Sequence, residues 1–178
     1  MALIENDFSP QIDGDCNIVN GAFARDLFPN LDVGNEICLR VRLFQFDFVT
    51  LALRTLDNLN AGTVLRLAIE LTASASEISD LADYQSRTRS DWFDFETDSI
   101  VLSGERYHQF DLTDLAAEVF SLPGWASGNA ANIFMESPNS ANRRYTTSNW
   151  AKAHRMTYAN DGGGSGGLPV GRLISGGV

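Results

Sequence analysis

The sequence has little of several residue types, and each shortage narrows the range of functions. Only two cysteines and two histidines occur among 178 residues, and their spacing does not match that of zinc ligands. Of thirteen basic residues only Lys152 is a lysine, and 23 residues are acidic. With a net charge of −10, the chain lacks the clustered basic residues that phosphate binding needs, so neither nucleic acid nor an anionic membrane is a predicted partner.

Long apolar runs are also missing. No stretch reaches the length of about 18 apolar residues that a transmembrane helix needs. The first fifteen residues carry acidic rather than basic charges and no apolar segment of signal-peptide length. We therefore expect a chain made in the cytoplasm. In that compartment Cys16 and Cys38 are expected to be reduced and buried. A disulfide between them is the alternative.

The patterns of catalytic sites do not occur either. The acidic run at residues 90–98 supplies four carboxylates, but nothing marks one as raised in pKa and another as ionised, so a solvated strand and loop is predicted. His108 and His154 have no nucleophile motif nearby. Residues 13–15 lack the spacing of an EF-hand loop, and residues 162–167 lack the lysine of a phosphate loop. The prediction is a non-enzymatic protein without a metal or cofactor.

The sequence does contain a succession of short strands. About seven of them, at roughly ten-residue spacing with turn residues between, predict an all-β protein: one antiparallel β-sandwich of jelly-roll type. This domain spans residues 1–161, and a Gly-rich C-terminal arm follows at residues 162–178. Residues 37–48 alternate, but their apolar side switches near Leu43, which predicts either a bulge or a strand that passes between two sheets.

Residues 63–72 alternate without interruption and predict a core strand. The core face consists of Leu65, Leu67, Ile69 and Leu71. Phe44 and Phe46 are expected to fill the same core. Residues 130–135 and 153–158 are predicted to form the closing hairpin of the sandwich.

One short helix is predicted, with Thr113 as its N-cap and with Pro123 and Gly124 beyond its end. Trp125 is expected to pack against this helix. A further turn of helix is suggested by an apolar face within residues 76–84. That face consists of Ile78, Leu81 and Ala82.

Two segments are candidates for partner binding. The first is a polar and aromatic loop at one end of the sandwich, with Asn142, Arg143, Arg144, Tyr145 and Trp150. Such side chains suit sugar rings and protein interfaces equally well, and a surface loop without a partner is the third alternative. The second is the arm, where the apolar residues are Leu168, Val170, Leu173 and Ile174. Glycine is costly to order, so a flexible tail and an arm that orders on a neighbouring subunit both remain open.

Several segments occur in an order that resembles a known family. These are RLFQFD at 42–47, GTVLRL at 62–67, FDLTDL at 110–115, GWASGN at 124–129 and KAHRMTY at 152–158. Together they resemble the DNRLRE-type β-sandwich modules. These modules are jelly-roll relatives of carbohydrate-binding modules and occur in large extracellular proteins and in phage structural proteins.

The resemblance implies a non-enzymatic virion structural protein, specifically a phage capsid decoration (cement) or head-fibre protein. Such a protein would be made in the host cytoplasm and assemble onto the virion. Its partners would be other capsid or tail proteins and further copies of itself, as in a homo-oligomer such as a trimer. Two alternatives stay open: a tail-associated receptor-binding module that recognises surface glycan, and a carbohydrate-binding module detached from an enzyme.

Overall fold

The computed structural model describes residues 16–19, 21–25, 30–32, 36–55, 63–97, 106–138, 144–146 and 155–160. These ranges contain eleven strands and two short helices. In chain order they are β1 (Cys16–Val19), β2 (Ala22–Arg25), β3 (Asn30–Asp32), β4 (Glu36–Arg42), β5 (Phe48–Thr55), β6 (Thr63–Ile69), α1 (Leu81–Ser86), β7 (Phe93–Thr97), β8 (Arg106–Asp111), α2 (Thr113–Phe120), β9 (Ala130–Glu136), β10 (Arg144–Thr146) and β11 (Arg155–Ala159).

The described strands form two antiparallel sheets that pack together. The first sheet has six strands in the order β2-β1-β4-β9-β6-β7. In the second sheet β5 pairs with β8, β11 and β10, and β10 also pairs with β3. This arrangement confirms the predicted antiparallel β-sandwich, but the described residues contain two short helices instead of one.

The chain crosses from the first sheet to the second between Arg42 and Phe48, where the sequence switches its apolar side. Leu43 is fully buried. Its amide donates to the Asn129 carbonyl (3.0 Å), and its carbonyl accepts from the Gly128 amide (2.8 Å). Gly128 has a φ of 93°, a conformation that glycine adopts without strain. The chain therefore passes between the two sheets at this point, as one of the two predicted alternatives stated, but residues 43–47 form a connection and not a continuous strand.

The core lies between the two sheets. Leu65, Leu67 and Ile69 project into it from β6 and are at most 1% exposed, which confirms their predicted face. Leu71 is only half-buried, because β6 ends before it. The remaining large core residues are Ile37, Leu39, Val41, Leu43, Val49, Leu51, Leu53, Phe110, Leu112, Leu115, Val119, Ile133, Met135, Met156 and Tyr158.

Phe44 and Phe46, predicted as core residues, are half-buried at the rim instead. They lie in the connection between β4 and β5, where no strand alternation directs them inward. Both rings contact the ring of Tyr158, with centroid distances of 5.5 and 5.2 Å. The Tyr158 hydroxyl donates to the Arg42 carbonyl at 2.6 Å. The aromatic group thus ties β11 to the end of β4.

Helix α2 confirms the predicted helix, but Thr113 is not its N-cap. Leu112 occupies that position without a side-chain cap, because its amide still donates to the Val49 carbonyl (2.8 Å) as part of the strand contact. Thr113 is the first helical residue. Its hydroxyl accepts a hydrogen bond from the Val49 amide at 3.1 Å. The hydroxyl therefore joins the helix to β5 instead of capping the helix.

Helix α1 begins later than the turn of helix predicted from the sequence. The Asp80 carboxylate accepts from the Asp83 amide at 2.9 Å and so fixes the start at the following residue. Ile78 is buried ahead of the helix, Ala82 is exposed, and Tyr84 is the buried helical residue. Neither helix of the described residues has the length and apolar character of a membrane span.

The predicted closing hairpin is wrong, because β9 and β11 lie in different sheets. β9 pairs with β4 and β6 in the middle of the first sheet, whereas β11 pairs with β5 in the second. Residues 131–135 of β9 are all buried. A strand that is buried on both faces belongs inside a sheet with cover on each side, and a terminal hairpin would not provide that cover.

Both cysteines are buried thiols, as predicted. Cys16 lies on β1 and Cys38 on β4, and each is 0% exposed. The β1–β4 register places the two residues directly opposite each other.

Replacing Leu67 by Ala should lower the free energy of unfolding by about 2–5 kcal/mol, because it leaves a cavity in a packed core. Urea denaturation measures this loss. The matched control is Gln109→Ala on β8, an exposed position where the change should stay within about 0.5 kcal/mol. Equal losses at the two positions would contradict the assignment of Leu67 to the core.

Candidate functional site

The outer face of the first sheet is covered by residues 71–92, which we call the cover segment. This segment contains α1, and it is joined to the sheet by backbone hydrogen bonds, including one from the Ala75 amide to the Ala130 carbonyl (2.8 Å). Apolar side chains from both layers form a second buried cluster beneath it. The cluster consists of Cys16, Ile18, Cys38, Ile78, Tyr84 and Phe134.

A buried polar network lies beside this cluster. Asn132 and Glu70 are 0% and 5% exposed. The Asn132 side-chain amide donates to a Glu70 carboxylate oxygen at 2.7 Å and to the Ser76 carbonyl at 3.0 Å. The Arg87 guanidinium donates to the other Glu70 oxygen at 3.0 Å. Because a buried carboxylate is costly without such partners, these contacts hold the cover segment in one position on the sheet.

Arg89 is enclosed between two aromatic rings. Its guanidinium carbon lies 4.4 Å from the ring centroid of Tyr84 and 4.0 Å from that of Phe134. One terminal nitrogen donates to the Tyr84 carbonyl at 2.9 Å, and the other lies 4.0 Å from a Glu36 carboxylate oxygen. Contacts of a cation with aromatic faces are worth about 2 kcal/mol when desolvated, so Arg89 joins α1 to β9.

A row of charged residues crosses the sheet where the cover segment ends. The register places Arg66 opposite Glu136 on one side and opposite Asp94 on the other. Arg66 and Glu136 form an ion pair. Glu36 lies at the start of β4, opposite Ile18 of β1, and Glu136 lies at the end of β9.

Glu36 and Glu136 line an open cleft of about 660 Å³ between α1 and the β1–β2 hairpin. Its volume lies in the range of small-molecule sites. The lining residues are Ile18, Gly21, Glu36, Leu81, Tyr84, Gln85, Arg87, Arg89, Glu136 and Ser137. The described residues contain no group of three or more His, Cys, Asp or Glu side chains that could hold a metal ion.

Two buried donors at the cleft have no acceptor in the described part of the chain. The Tyr84 hydroxyl and the Nε of Arg89 make no hydrogen bond to any described residue, although the Glu36 carboxylate is near the hydroxyl. Burial, followed by the neighbouring Glu36, raises the pKa of the Tyr84 phenol well above its usual range. The hydroxyl therefore keeps its proton and remains a donor, for which Glu36 or an added group can serve as acceptor.

Asp83 fixes the position of Arg87. The Nε and one terminal nitrogen of Arg87 donate to the two carboxylate oxygens of Asp83 at 2.8 and 2.9 Å. The Ser79 amide donates to the same carboxylate at 2.8 Å. The hydrogen bonds from Arg87, and then from Ser79, lower the pKa of Asp83 from 3.8 to about 2.

A different feature occurs at the far edge of the first sheet. β7 is the terminal strand, and no described strand pairs with its outer side. Phe93 is 47% exposed, and no other large hydrophobic residue in the described part of the chain is classed as exposed. Its ring contacts Phe95 (5.4 Å between centroids), which in turn contacts Phe110 on β8 (5.2 Å). The edges of both sheets therefore meet at one side of the sandwich.

The acidic run agrees with its prediction where it is described. Asp91 and Asp94 are exposed to solvent. Trp125, also singled out in the sequence, is half-buried and packs on Phe120 of α2 with 4.6 Å between the ring centroids. The predicted packing role of Trp125 is confirmed.

The predicted partner-binding loop is described only in part. Residues 144–146 form β10, which pairs with β3 and with the end of β5. The side chains of Arg144 and Tyr145 lie outside what the structure describes. So do the other predicted partner-binding residues, Asn142, Arg143, Trp150, Leu168, Val170, Leu173 and Ile174.

The cleft residues Tyr84, Arg87 and Arg89 were missed from the sequence. Two arginines separated by one residue, just after an Asp-capped helix, were the available signal. That signal does not reveal that Glu70 and Phe134 lie beneath them, because strand pairing brings these residues together over long separations.

A scan against protein-family models and searches of curated proteins and of solved structures return no match to this chain. The resemblance to the DNRLRE-type modules therefore stays a prediction from the sequence, and the function rests on the geometry described above.

Asp83→Asn should destabilise the protein in a pH-dependent way. Because the pKa of Asp83 is lowered in the folded protein, the carboxylate stabilises fully above its ordinary value of 3.8 and loses this effect as the pH falls through about 2. The difference in melting temperature between the parent and the variant should shrink over that window. A difference that stays constant from pH 5 to pH 2 would contradict the Asp83–Arg87 contact.

Proposed function

We propose that this chain is a non-enzymatic virion structural protein, of the capsid decoration or head-fibre kind, that assembles through the β7 edge. The observation that carries the proposal is Phe93, half-exposed on the terminal strand of the first sheet. An exposed aromatic residue on a strand edge that no described strand pairs with is a typical docking surface.

The edge combines two sources of binding energy. The outer amides and carbonyls of β7 can pair with an added strand, and such main-chain bonds supply affinity in strand addition. Phe93 can be buried by the same partner, which contributes up to about 1.5–3 kcal/mol. Asp91 and Asp94 are exposed nearby and disfavour acidic partners. The expected partner is therefore an extended segment that is apolar and not acidic.

The C-terminal arm has the composition of such a segment. Within residues 168–174 (LPVGRLI) four residues are large and apolar, one is Arg172, and none is acidic. We assign the arm of a neighbouring copy to the β7 edge, which would produce a homo-oligomer. Other virion proteins could present a similar segment to the same edge.

Phe93→Asp should weaken self-association about tenfold, because it removes apolar burial and adds a charge at the contact. Its melting temperature should change by less than about 2 °C, since Phe93 is half-exposed. Deleting residues 162–178 should weaken self-association to a similar extent. Sedimentation velocity measures both variants, with Gln109→Ala as the control on an edge strand of the other sheet.

The combination of the two changes tests the contact itself. If the arm docks on β7, deleting it from the Phe93→Asp variant has little further effect, because one contact is removed twice. If the two changes weaken self-association additively, the arm and the β7 edge take part in separate contacts. The virion assignment is tested separately by mass spectrometry and immunogold labelling of purified particles. Absence of the chain from those particles would overturn it.

Glycan binding is a second candidate function, and the cleft is the observation that favours it. Its lining contains two arginines and two glutamates, so it offers both donors and acceptors and charges of both signs. Among the described residues, the buried donors on Tyr84 and Arg89 have no acceptor. A neutral polyhydroxylated ring can satisfy both kinds of group, whereas Glu36 and Glu136 would repel an anion.

Tyr84→Phe isolates this second function, because it removes the hydroxyl and keeps the ring against Arg89. Stability should be unchanged or slightly raised, since an unsatisfied buried hydroxyl is lost. Binding of a neutral oligosaccharide selected from a printed glycan array should weaken about 2- to 10-fold by calorimetry. An array on which no neutral glycan binds, or on which only anionic glycans bind, would exclude this function.

A further inference from the structure

Cys16 and Cys38 form a directly opposed pair on neighbouring antiparallel strands. The β1–β4 register aligns their Cα atoms, with Asn17 opposite Ile37 and Ile18 opposite Glu36 in the next positions. Both side chains belong to the cluster beneath the cover segment, so they project from the same face of the sheet. Twenty-one residues separate them in the sequence, and the register brings them together.

This arrangement fits the geometry of a disulfide. Opposed residues in antiparallel strands have Cα atoms about 4.5–5.5 Å apart, within the range of about 4.4–6.8 Å that disulfides span. The Cβ atoms of such opposed residues typically lie about 4.5–5.5 Å apart, and a disulfide needs about 3.5–4.5 Å. The required approach is therefore at most about 1 Å. A small shift of β1 toward β4 can close this distance, because only β2 lies on the outer side of β1 in the described sheet.

We propose that Cys16 and Cys38 are a site of oxidative modification, at which a low-molecular-weight disulfide such as oxidised glutathione converts the two thiols into an intramolecular disulfide. One thiolate attacks the glutathione disulfide, forms a mixed disulfide and releases one glutathione thiolate. The second cysteine thiolate attacks the mixed disulfide and releases the other. Two protein thiols lose two electrons and two protons in total, and one glutathione disulfide becomes two glutathione thiols.

The bond would fix the β1–β2 hairpin to the centre of the first sheet. Ile18 and Gly21 of that hairpin line one wall of the cleft, so oxidation would also hold this wall in place. The bond itself does not depend on the proposed function. Only its timing does: a virion protein leaves a reducing cytoplasm for an oxidising medium, and the bond would form after release.

The test is a glutathione redox titration of the full chain, approached from both sides. Native reduced protein is equilibrated with the buffer, and denatured reduced protein is refolded in it, so that slow access to buried thiols does not hide the result. Intact mass should fall by two hydrogens, and non-reducing peptide mapping should join the peptides that contain Cys16 and Cys38. The oxidised protein should melt roughly 5–10 °C higher than the reduced one.

Cys16→Ala is the matched control, which should show neither the mass change nor the shift in melting temperature on oxidation. Three results would overturn the proposal. The refolded protein could keep both thiols reduced at oxidising potentials. Mixed disulfides with glutathione or disulfide-linked dimers could accumulate in place of the internal bond. The oxidised monomer could melt at a lower temperature than the reduced one, which would show that the sheet does not accept the bond.

Discussion

The burial of β9 on both faces is the constraint on which the rest of the structure depends. Its inward side chains, Ala131, Ile133 and Met135, fill the core between the sheets. Its outward side chains, Asn132 and Phe134, are completely covered. Since an outer sheet face with an amide and an aromatic ring needs matching partners, the cover segment has to bring Arg87 to Glu70 and the Arg89–Tyr84 stack to Phe134.

This second layer produces the candidate cleft. The cover segment buries the apolar and polar rows of the sheet, and the cleft opens beside it with Glu36 and Glu136 in its lining. Glu136 stands opposite Arg66, and Arg66 stands opposite Asp94 on β7, at the edge that carries Phe93. A sandwich core with two sheets therefore carries two separate candidate surfaces for binding, one beside the cover segment and one at a sheet edge without a described neighbour.

Local patterns in the sequence predicted the features that local physics controls. The phase switch at Leu43 revealed the crossing between sheets, and the alternation around Leu67 identified the core face, because side chains alternate strictly along a strand. The β9–β11 hairpin was wrong since nearness in sequence does not decide pairing when one strand needs cover on both faces. The cleft was missed because its polar lining residues follow no periodic pattern along the sequence. They come together only through the pairing of strands that are far apart in the chain.

Native-state hydrogen exchange tests the cover of β9 most directly. The Ala75 and Ser90 amides donate to the Ala130 and Ile69 carbonyls at 2.8 and 2.9 Å, which places the cover segment in the cooperative structure of the sheet. If β9 is covered on both faces, these amides should exchange about as slowly as those of β9 itself, through the same unfolding step. Rapid exchange at Ala75 and Ser90, with β9 still protected, would show that the cover segment is not part of the folded unit.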